Sequence, residues 1–250
     1  MRSEEGAYLV DGPVLVTEAL DADVELSALY VEPDALADAV VWTARDAGVP
    51  VREVTRDALR KVLDLGTPQS MVAVAAMRTH RPDELLDVAM RLARPLVVLC
   101  ELADPGNAGT LVRIAEAAGC AGLLTTPRTV DLHNPKTVRA AAGALFRLPV
   151  AESVDVDDLL DRAAARGVPT WSTVARGGDE LGTTSLLGPG LLLLGSEAHG
   201  LPDDLVARCT GALTIPMEGR VESLNAAVAG AVVLFEAVRQ RRAAAERSTS

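Results

Sequence analysis

The sequence predicts an α/β protein in which a mostly parallel sheet, covered by helices, is preceded by a smaller α/β domain. Short runs rich in branched residues alternate with helix-length segments along the chain, as they do in α/β units. Continuous apolar runs such as GLLLL at 190–194 are typical of parallel strands that are buried on both faces. A polar stretch with two prolines at 78–95 interrupts the alternation and indicates a domain boundary.

The smaller domain is predicted to span residues 1–80. Its β-rich runs are 26–33, 49–54 and 71–77, and its segments with helical spacing of apolar residues are 13–22, 33–48 and 55–66. The last two helical segments end at glycine, which is a common helix stop. Residues 81–94 then read as a helix-like linker.

The larger domain is predicted to span residues 95–242. Six short strands are expected at 95–102, 120–126, 148–153, 168–174, 190–196 and 212–217. The last segment is a strong helix, for which we predict Ser223 as the N-cap and a cationic final turn. Residues 243–250 are expected to form a flexible tail.

Composition limits the function classes. A chain of 250 residues that is 49% hydrophobic can bury one large core or two modest ones, and no apolar run reaches the roughly 18 residues of a membrane span. The N-terminal stretch lacks the features of a secretory signal. Cys100, Cys120 and Cys209 lack the spacing of a disulfide framework or a zinc site, so we expect buried free thiols and a cytoplasmic protein without a membrane partner.

The net charge of -11 argues against a protein that simply coats nucleic acid, and we expect no DNA partner. The charge is unevenly distributed, because residues 1–90 hold 17 acidic and 8 basic side chains, against 18 and 16 in residues 91–250. A polyanion should therefore bind the second half of the chain more readily than the first.

Several familiar sites are missing from the sequence. It contains no GxGxxG turn after a strand, no GxxxxGK[ST] phosphate loop and no nucleophile elbow. His80, His133 and His199 lack metal-ligand spacing, so each is interpreted as a surface or turn residue and no metal is expected.

The remaining candidate site residues lie at three junctions where a strand passes into a loop. The stretch 102–119 holds Asn107 and Arg113, the turn 191–202 has Glu197 at its centre, and the loop 213–227 holds Ser223 and Asn225. Ligands bind beyond the carboxyl ends of the strands in open parallel sheets, so the three junctions together predict a pocket. Taken singly, each has an ordinary alternative as a helix cap, a turn or a solvated side chain.

Four blocks in this order and spacing resemble the motifs of the SpoU/TrmH-type RNA 2'-O-ribose methyltransferases of the SPOUT superfamily. They are DPGNAGTLVRIAEAAG, NPKTVRAAAG, LLLGSEAHGLP and IPMEGRVESLNAAVAGAVVLFEA, spread over about 135 residues. Upstream, YLVDG (8–12), VTEAL (16–20) and TPQSMVAVA (67–75) resemble the L30e-like substrate-binding domain of many members.

The resemblance implies a trefoil knot that holds S-adenosylmethionine, and a homodimer whose sites use residues of both subunits. By motif, the cofactor would be lined by Leu194, Gly195, Gly200, Ile215, Met217 and Leu224. The polar catalytic set would be Asn107, Arg113, Glu197, Ser223 and Asn225. The implied partner is structured RNA. Ribosomal RNA, in particular 23S, is favoured over transfer RNA, because the L30e-like domain accompanies the ribosomal enzymes.

Roles follow from the chemistry of methyl transfer, which is an in-line displacement dominated by positioning. Arg113 suits a phosphate beside the target ribose, or the 2'-oxygen as it gains charge. The family often assigns this arginine as the general base, but a guanidinium with a pKa above ~12 is hard to deprotonate. We expect Glu197 and Asn107 to orient Arg113, and Ser223 and Asn225 to shape the surroundings.

The sequence departs from the family in two places. Relatives often have RAS where this chain has RAA at 139–141. In addition, the domain at residues 1–80, which the resemblance implies for RNA binding, is acidic. The alternatives are a knotted protein that binds RNA or the ribosome without methylating it, and an enzyme that acts on a nucleobase nitrogen or on transfer RNA. A housekeeping role and antibiotic self-resistance both remain open.

Overall fold

The computed structural model describes residues 6–63, 69–196 and 198–248. These residues form two α/β units, one around a four-stranded sheet and one around a seven-stranded sheet. The predicted fold class, a mostly parallel α/β unit preceded by a smaller α/β domain, is confirmed. The knot stays a prediction of the resemblance.

The first unit contains four strands and three helices. The strands are β1 (Ala7–Asp11), β2 (Leu26–Val31), β3 (Val51–Glu53) and β4 (Met71–Ala76), and the helices are α1 (Pro13–Asp21), α2 (Ala39–Asp46) and α3 (Arg56–Leu63). The strand order is β1-β4-β2-β3. Strand β4 runs antiparallel to both of its neighbours, whereas β2 and β3 are parallel.

The second unit carries the larger sheet. Its strands are β5 (Pro95–Leu99), β6 (Gly122–Thr125), β7 (Val150–Ala151), β8 (Thr170–Thr173), β9 (Asp179–Glu180), β10 (Gly190–Leu194) and β11 (Gly211–Thr214). Their order is β7-β6-β5-β10-β8-β11-β9, and every pairing among the described residues is parallel. The two-residue strand β9 is too short for a periodic signal, and the sequence did not predict it.

Six helices accompany this sheet. They are α4 (Pro82–Leu92), α5 (Pro105–Ala117), α6 (Pro135–Ala141), α7 (Val156–Ala165), α8 (Asp203–Arg208) and α9 (Ala226–Ser248). None of the described helices is both long and apolar enough to span a bilayer.

The central strands are buried on both faces, as their continuous apolar sequences predict. In β5, Val97 and Leu99 join the core on one side of the sheet, while Leu96 and Val98 join the core on the other side. Strand β10 divides its leucines between the two cores in the same alternating way. This is the period-two alternation of a strand that is covered by helices on both sides.

The segment 81–94, which was expected to be a linker, contains helix α4. Leu85, Leu86 and Ala89 of α4 are fully or almost fully buried in the core that also contains β5 residues. The helix therefore packs on the larger sheet, and the boundaries of the two domains stay a prediction. Helix α9 continues to Ser248, through most of the segment that we expected to be a flexible tail.

The two units share one hydrophobic core and a polar junction. Asp11 at the end of β1 is 3% exposed and forms an ion pair with Arg139 of α6. Tyr8 contacts His133 edge-on, with 4.7 Å between ring centroids, and Nδ1 of His133 lies 2.8 Å from Glu152 Oε2. Of the two alternatives for His133, a surface or a turn residue, the turn is confirmed, but the residue is not on the surface, because Tyr8 of the first unit covers it and leaves it 2% exposed.

The three cysteines are free thiols, as predicted, with Cys100 buried and Cys120 and Cys209 half-buried. Burial raises the pKa of both Cys100 and Cys120 to about 12. These two thiols therefore stay protonated and unreactive at neutral pH.

Gly109 sets the distance between α5 and α6. A Cβ atom at this position would lie 2.4 Å from the Thr137 carbonyl oxygen and 2.6 Å from Ala140 Cβ. We predict that Gly109→Val lowers the free energy of unfolding by about 2 kcal/mol or more, because one of the two helices must move. Urea denaturation measures the effect.

The matched control is Thr110→Val, which places the same side chain at the next, exposed position of α5. This control is expected to stay within about 0.5 kcal/mol of the parent protein. Equal stability of the two variants would contradict the assigned packing role of Gly109.

Candidate ligand-binding site

A cavity of about 400 Å³ opens at the carboxyl ends of β8, β10 and β11. Its size falls in the usual range for small-ligand sites, which is about 300–1,000 Å³. All six residues that the family resemblance implies for the cofactor line this carboxyl-end cavity, namely Leu194, Gly195, Gly200, Ile215, Met217 and Leu224. Ser223 of the implied catalytic set lines it as well.

The walls of the carboxyl-end cavity combine apolar side chains with backbone. Leu194 and Leu213 are buried at the strand ends, and Ile215 and Val233 add further branched side chains. The turn after β10 contributes peptide groups at Gly195 and Gly200. Such a site can hold a flat apolar ring between side chains while backbone groups bind polar atoms at its rim.

Glycine is required in the turn that follows β10. A Cβ atom on Gly195 would lie 2.3 Å from the carbonyl carbon of Gly200, and Gly200 itself has a φ of 68°. The Gly200 amide donates to the Ser196 carbonyl at 2.9 Å, and Ser196 Oγ accepts from the His199 amide at 3.2 Å. The turn is thereby closed tightly on itself. Glu197 lies outside the described residues, so its predicted role stays a prediction.

Asn225 joins the start of α9 to α5. Its Nδ2 donates to Asn107 Oδ1 at 3.0 Å, and its Oδ1 accepts from the amides of Ala227 and Val228 at 2.9 and 3.3 Å. Asn225 is therefore the N-cap of α9, and the prediction of Ser223 as this cap was wrong. The helix starts later than its apolar spacing indicated, which leaves Ser223 in the loop that lines the carboxyl-end cavity.

Arg113 stands apart from the other candidates in the protomer. It lies on the exposed face of α5, and neither a hydrogen bond nor an ion pair joins it to another residue of the described ranges. It does not line the carboxyl-end cavity. The structure thus brings Asn107, Ser223 and Asn225 to the cavity and its border, but leaves Arg113 pointing outward.

Sequence reasoning missed the contribution of β8. Thr173, Val174 and Ala175 at its carboxyl end also line the cavity. This strand was predicted, and the rule that ligands bind beyond strand ends would have found these residues. The glycines and polar residues that follow them, at 176–180, were not recognised as a fourth junction.

An open parallel sheet with a small-ligand cavity beyond three strand ends defines an α/β protein that binds its ligand in the loops. Comparison with known families makes this class specific. Residues 94–235 match the SpoU rRNA Methylase family, and residues 1–73 match the MRM3-like substrate binding domain. The chain belongs to the SpoU rRNA methylase family, as the four sequence blocks indicated.

Two relatives and one solved structure illustrate the similarity. An uncharacterized tRNA/rRNA methyltransferase of Mycobacterium sp. (strain KMS) is 35% identical over 96% of this chain and 79% of its own length. The 23S rRNA (guanosine(2553)-2'-O)-methyltransferase RlmP of Bacillus subtilis is 30% identical, covering 94% of this chain and 89% of the relative. The AdoMet-bound rRNA methyltransferase of Sinorhizobium meliloti is 31% identical, with a TM-score of 0.82 over 95% of this chain and 89% of that one.

The two functions of Asn225 can be separated by substitution. Asn225→Ala removes both the cap and the bridge to Asn107, and we expect it to lower the free energy of unfolding by about 1 kcal/mol or more. Asn225→Ser keeps a capping oxygen and should recover most of the loss. Guanidinium denaturation of both variants, with Asn107→Ala as the control that removes the bridge but keeps the cap, measures this. A serine variant as unstable as the alanine variant would contradict the cap assignment.

Proposed function

We propose that this protein transfers a methyl group from S-adenosylmethionine to a ribose 2'-hydroxyl of RNA, and that 23S ribosomal RNA is the substrate. The observation that carries the proposal is the carboxyl-end cavity, which is built from the residues that the family motifs assign to the methyl donor. The Bacillus subtilis relative, a 23S rRNA 2'-O-methyltransferase, supports the ribose 2'-oxygen and 23S rRNA, and the bound AdoMet of the Sinorhizobium meliloti structure supports the donor.

The residues of the cavity fit this donor. Ile215 and Leu224 offer apolar walls for an adenine ring, while the glycine turn after β10 offers peptide groups for the polar atoms. Because Gly195 and Gly200 carry no side chain, the backbone of this turn can approach a ligand closely. The donor would supply a methyl group carried on a sulfonium. Loss of that methyl group would leave a neutral thioether.

The protein's own contribution is then mostly geometric. The 2'-oxygen must be held in line with the methyl group, and its proton must pass to a phosphate or to water. Arg113 would bind the adjacent phosphate or stabilise the 2'-oxygen as it gains negative charge, and its guanidinium would remain protonated throughout. The Asn107–Asn225 hydrogen bond holds α5 against the start of α9. We keep Glu197 as a residue that orients Arg113, and Ser223 as a polar group beside the reacting atoms.

A homodimer completes the site. Val228, Val232 and Phe235 form an exposed stripe on α9, with 50%, 39% and 50% of their surfaces accessible. Their spacing of four and three residues places them on one face of the helix. A second copy of the chain packed on this stripe would cover it, and would let Arg113 on the neighbouring α5 reach the partner's carboxyl-end cavity.

We further propose that residues 1–80 bind the RNA while residues 95–242 carry out the transfer. The three thiols without disulfides fit the reducing cytoplasm, where ribosomal RNA is modified. The acidic first unit makes direct coating of RNA unfavourable, so the substrate contacts should be few and localised.

Arg113→Ala is expected to lower the turnover of methyl transfer by about 100-fold or more while the affinity for S-adenosylmethionine stays unchanged, because the arginine acts on the acceptor. Mass spectrometry of ribose methylation in total RNA, with and without the gene, identifies the substrate. Single-turnover kinetics on that RNA then measures the variant.

Arg91→Gln, which removes an exposed arginine from α4, is the control and should keep normal turnover. A gene deletion that changes no ribose methylation, or an Arg113→Ala enzyme with near-normal turnover, would contradict the assignment.

The dimer is tested by placing charge on its proposed surface. Phe235→Glu combined with Val228→Glu should convert the dimer to a monomer, because two buried carboxylates per subunit would lose their hydration. Light scattering after size exclusion measures the mass. Leu92→Glu, at a residue of α4 that is 53% exposed, is the control and should leave the mass unchanged. A parent protein that is monomeric at micromolar concentration would refute the dimer.

A further inference from the structure

A second cavity of about 160 Å³ lies where the two units meet. It is far from the carboxyl-end cavity, because it lies beside Val150 and Pro149 at the amino end of β7, on the edge of the larger sheet. The first unit contributes Tyr8 of β1 and Ala76 of β4 to its walls. We call this site the junction cavity. Neither the site described above nor the proposed methyl transfer uses it.

The junction cavity as a whole has room for one six-membered ring. Leu145, Phe146 and Leu148, all at least nine-tenths buried, form its wall on the side of the second unit. A cavity of about 150 Å³ in a protein core is large enough to bind benzene. A pyrimidine ring, which is close to benzene in size, therefore fits the junction cavity more readily than the larger purine does.

Polar groups line the same cavity and could bind the edge of such a ring. Tyr8 is 5% exposed, and its hydroxyl makes no hydrogen bond to any residue that the structure describes. Burial raises the pKa of Tyr8 to about 12, against the effect of the nearby Arg78, so the hydroxyl stays protonated at neutral pH. His80 also lines the cavity, and its Nδ1 lies 3.3 Å from the Val150 carbonyl oxygen. If Nδ1 donates to that carbonyl, Nε2 remains an acceptor.

A positive charge without a carboxylate partner stands at the rim. Arg78 is exposed and its guanidinium donates to the backbone carbonyl of Asp23, while no carboxylate of the described residues lies within ion-pair distance of it. The other arginine at the cavity, Arg147, is already paired with Glu18 and Glu116 at 2.7 and 3.2 Å. Arg78 is therefore the group available to a ligand phosphate.

We propose that the junction cavity binds one unpaired pyrimidine nucleotide of the RNA substrate, with the base between Phe146 and Tyr8 and the phosphate on Arg78. This inference rests on the proposed function for the identity of the RNA. Unpaired RNA bases are commonly bound by aromatic stacking together with hydrogen bonds to their edges, which is the combination that lines this cavity. The site would allow the acidic first unit to bind RNA at one point without a basic surface.

The test uses fluorescein-labelled decauridylate and decaadenylate, with fluorescence anisotropy on the full-length protein. The parent protein should bind decauridylate about tenfold more tightly than decaadenylate. Arg78→Gln should weaken decauridylate binding about tenfold, the loss expected for one charge-assisted hydrogen bond. Arg91→Gln, which removes the same charge from an exposed position on α4, should change it less than about twofold.

A second variant fills the cavity itself. Ala76→Leu should abolish the preference for uridylate, and thermal unfolding shows whether the variant is still folded. Equal binding of the two oligomers by the parent protein, or equal losses in the two arginine variants, would overturn the proposal. Uridine monophosphate that displaces decauridylate at equal affinity would also overturn it, because the cavity would then be a site for a free mononucleotide.

Calorimetric titration of S-adenosylmethionine separates this proposal from the proposed function. Loss of uridylate preference in a protein that still binds the methyl donor contradicts only the junction cavity. Uridylate preference in a protein that binds no methyl donor contradicts only the methyl transfer.

Discussion

The structure depends on the parallel pairing of β10 with β5 on one side and β8 on the other. The four leucines of β10 are divided between the cores on the two faces of the sheet, so this strand cannot shift without opening both. Its carboxyl end consequently delivers Gly195 to a fixed point, where the tight turn to Gly200 begins. The carboxyl-end cavity lies between this turn and the loop after β11, which leave the sheet on either side of β8.

The second constraint is the close approach of helices on the face of the sheet that bears the site. A Cβ atom on Gly230 of α9 would lie 2.5 Å from Leu111 of α5, and Gly109 allows α6 to approach the same helix from another side. Asn225 and Asn107 then connect α9 and α5 through a hydrogen bond. Small residues and one amide pair therefore hold the polar candidates in place, and backbone sterics contribute more to this arrangement than charge does.

The sequence predicted the central strands β5, β6 and β10 of the parallel sheet because burial on both faces leaves an apolar run that needs no tertiary information, whereas the short, exposed strand β9 was missed. It failed where a residue's surroundings come from a distant segment. The burial of His133 was missed, because nothing nearby in sequence reveals that Tyr8 covers this turn residue. The cap of α9 is Asn225 and not Ser223, because two candidate capping residues lie within one turn and only the start of the helix at Ala226, with its amides bonded to Asn225 Oδ1, distinguishes them. The family motifs pointed to six residues that all line the carboxyl-end cavity, but they could not show that Arg113 faces outward in the protomer.

Ion pairing between carboxylates and arginines determines where this acidic protein can bind RNA. Many carboxylates are already engaged, as in the cluster where Asp83 of α4 pairs with Arg162 and Arg166 of α7. Glu32 accepts two hydrogen bonds from Arg56, which together with a favourable charge interaction lower the pKa of this carboxyl despite its desolvation. Such pairs are internally neutral and leave the net charge of -11 unchanged, so a polyanion is attracted only locally, at the few arginines that have no carboxylate partner.

The central claim is that strand ends and loops of the second unit form the binding site of a methyl donor. A crystal structure of the protein soaked with S-adenosylhomocysteine tests this claim most directly. The account predicts density for the adenine ring between Ile215 and Leu224, with polar atoms against the backbone of the turn at 195–200. Density at any other place, or an empty carboxyl-end cavity in a crystal whose loops are free to bind, would contradict it.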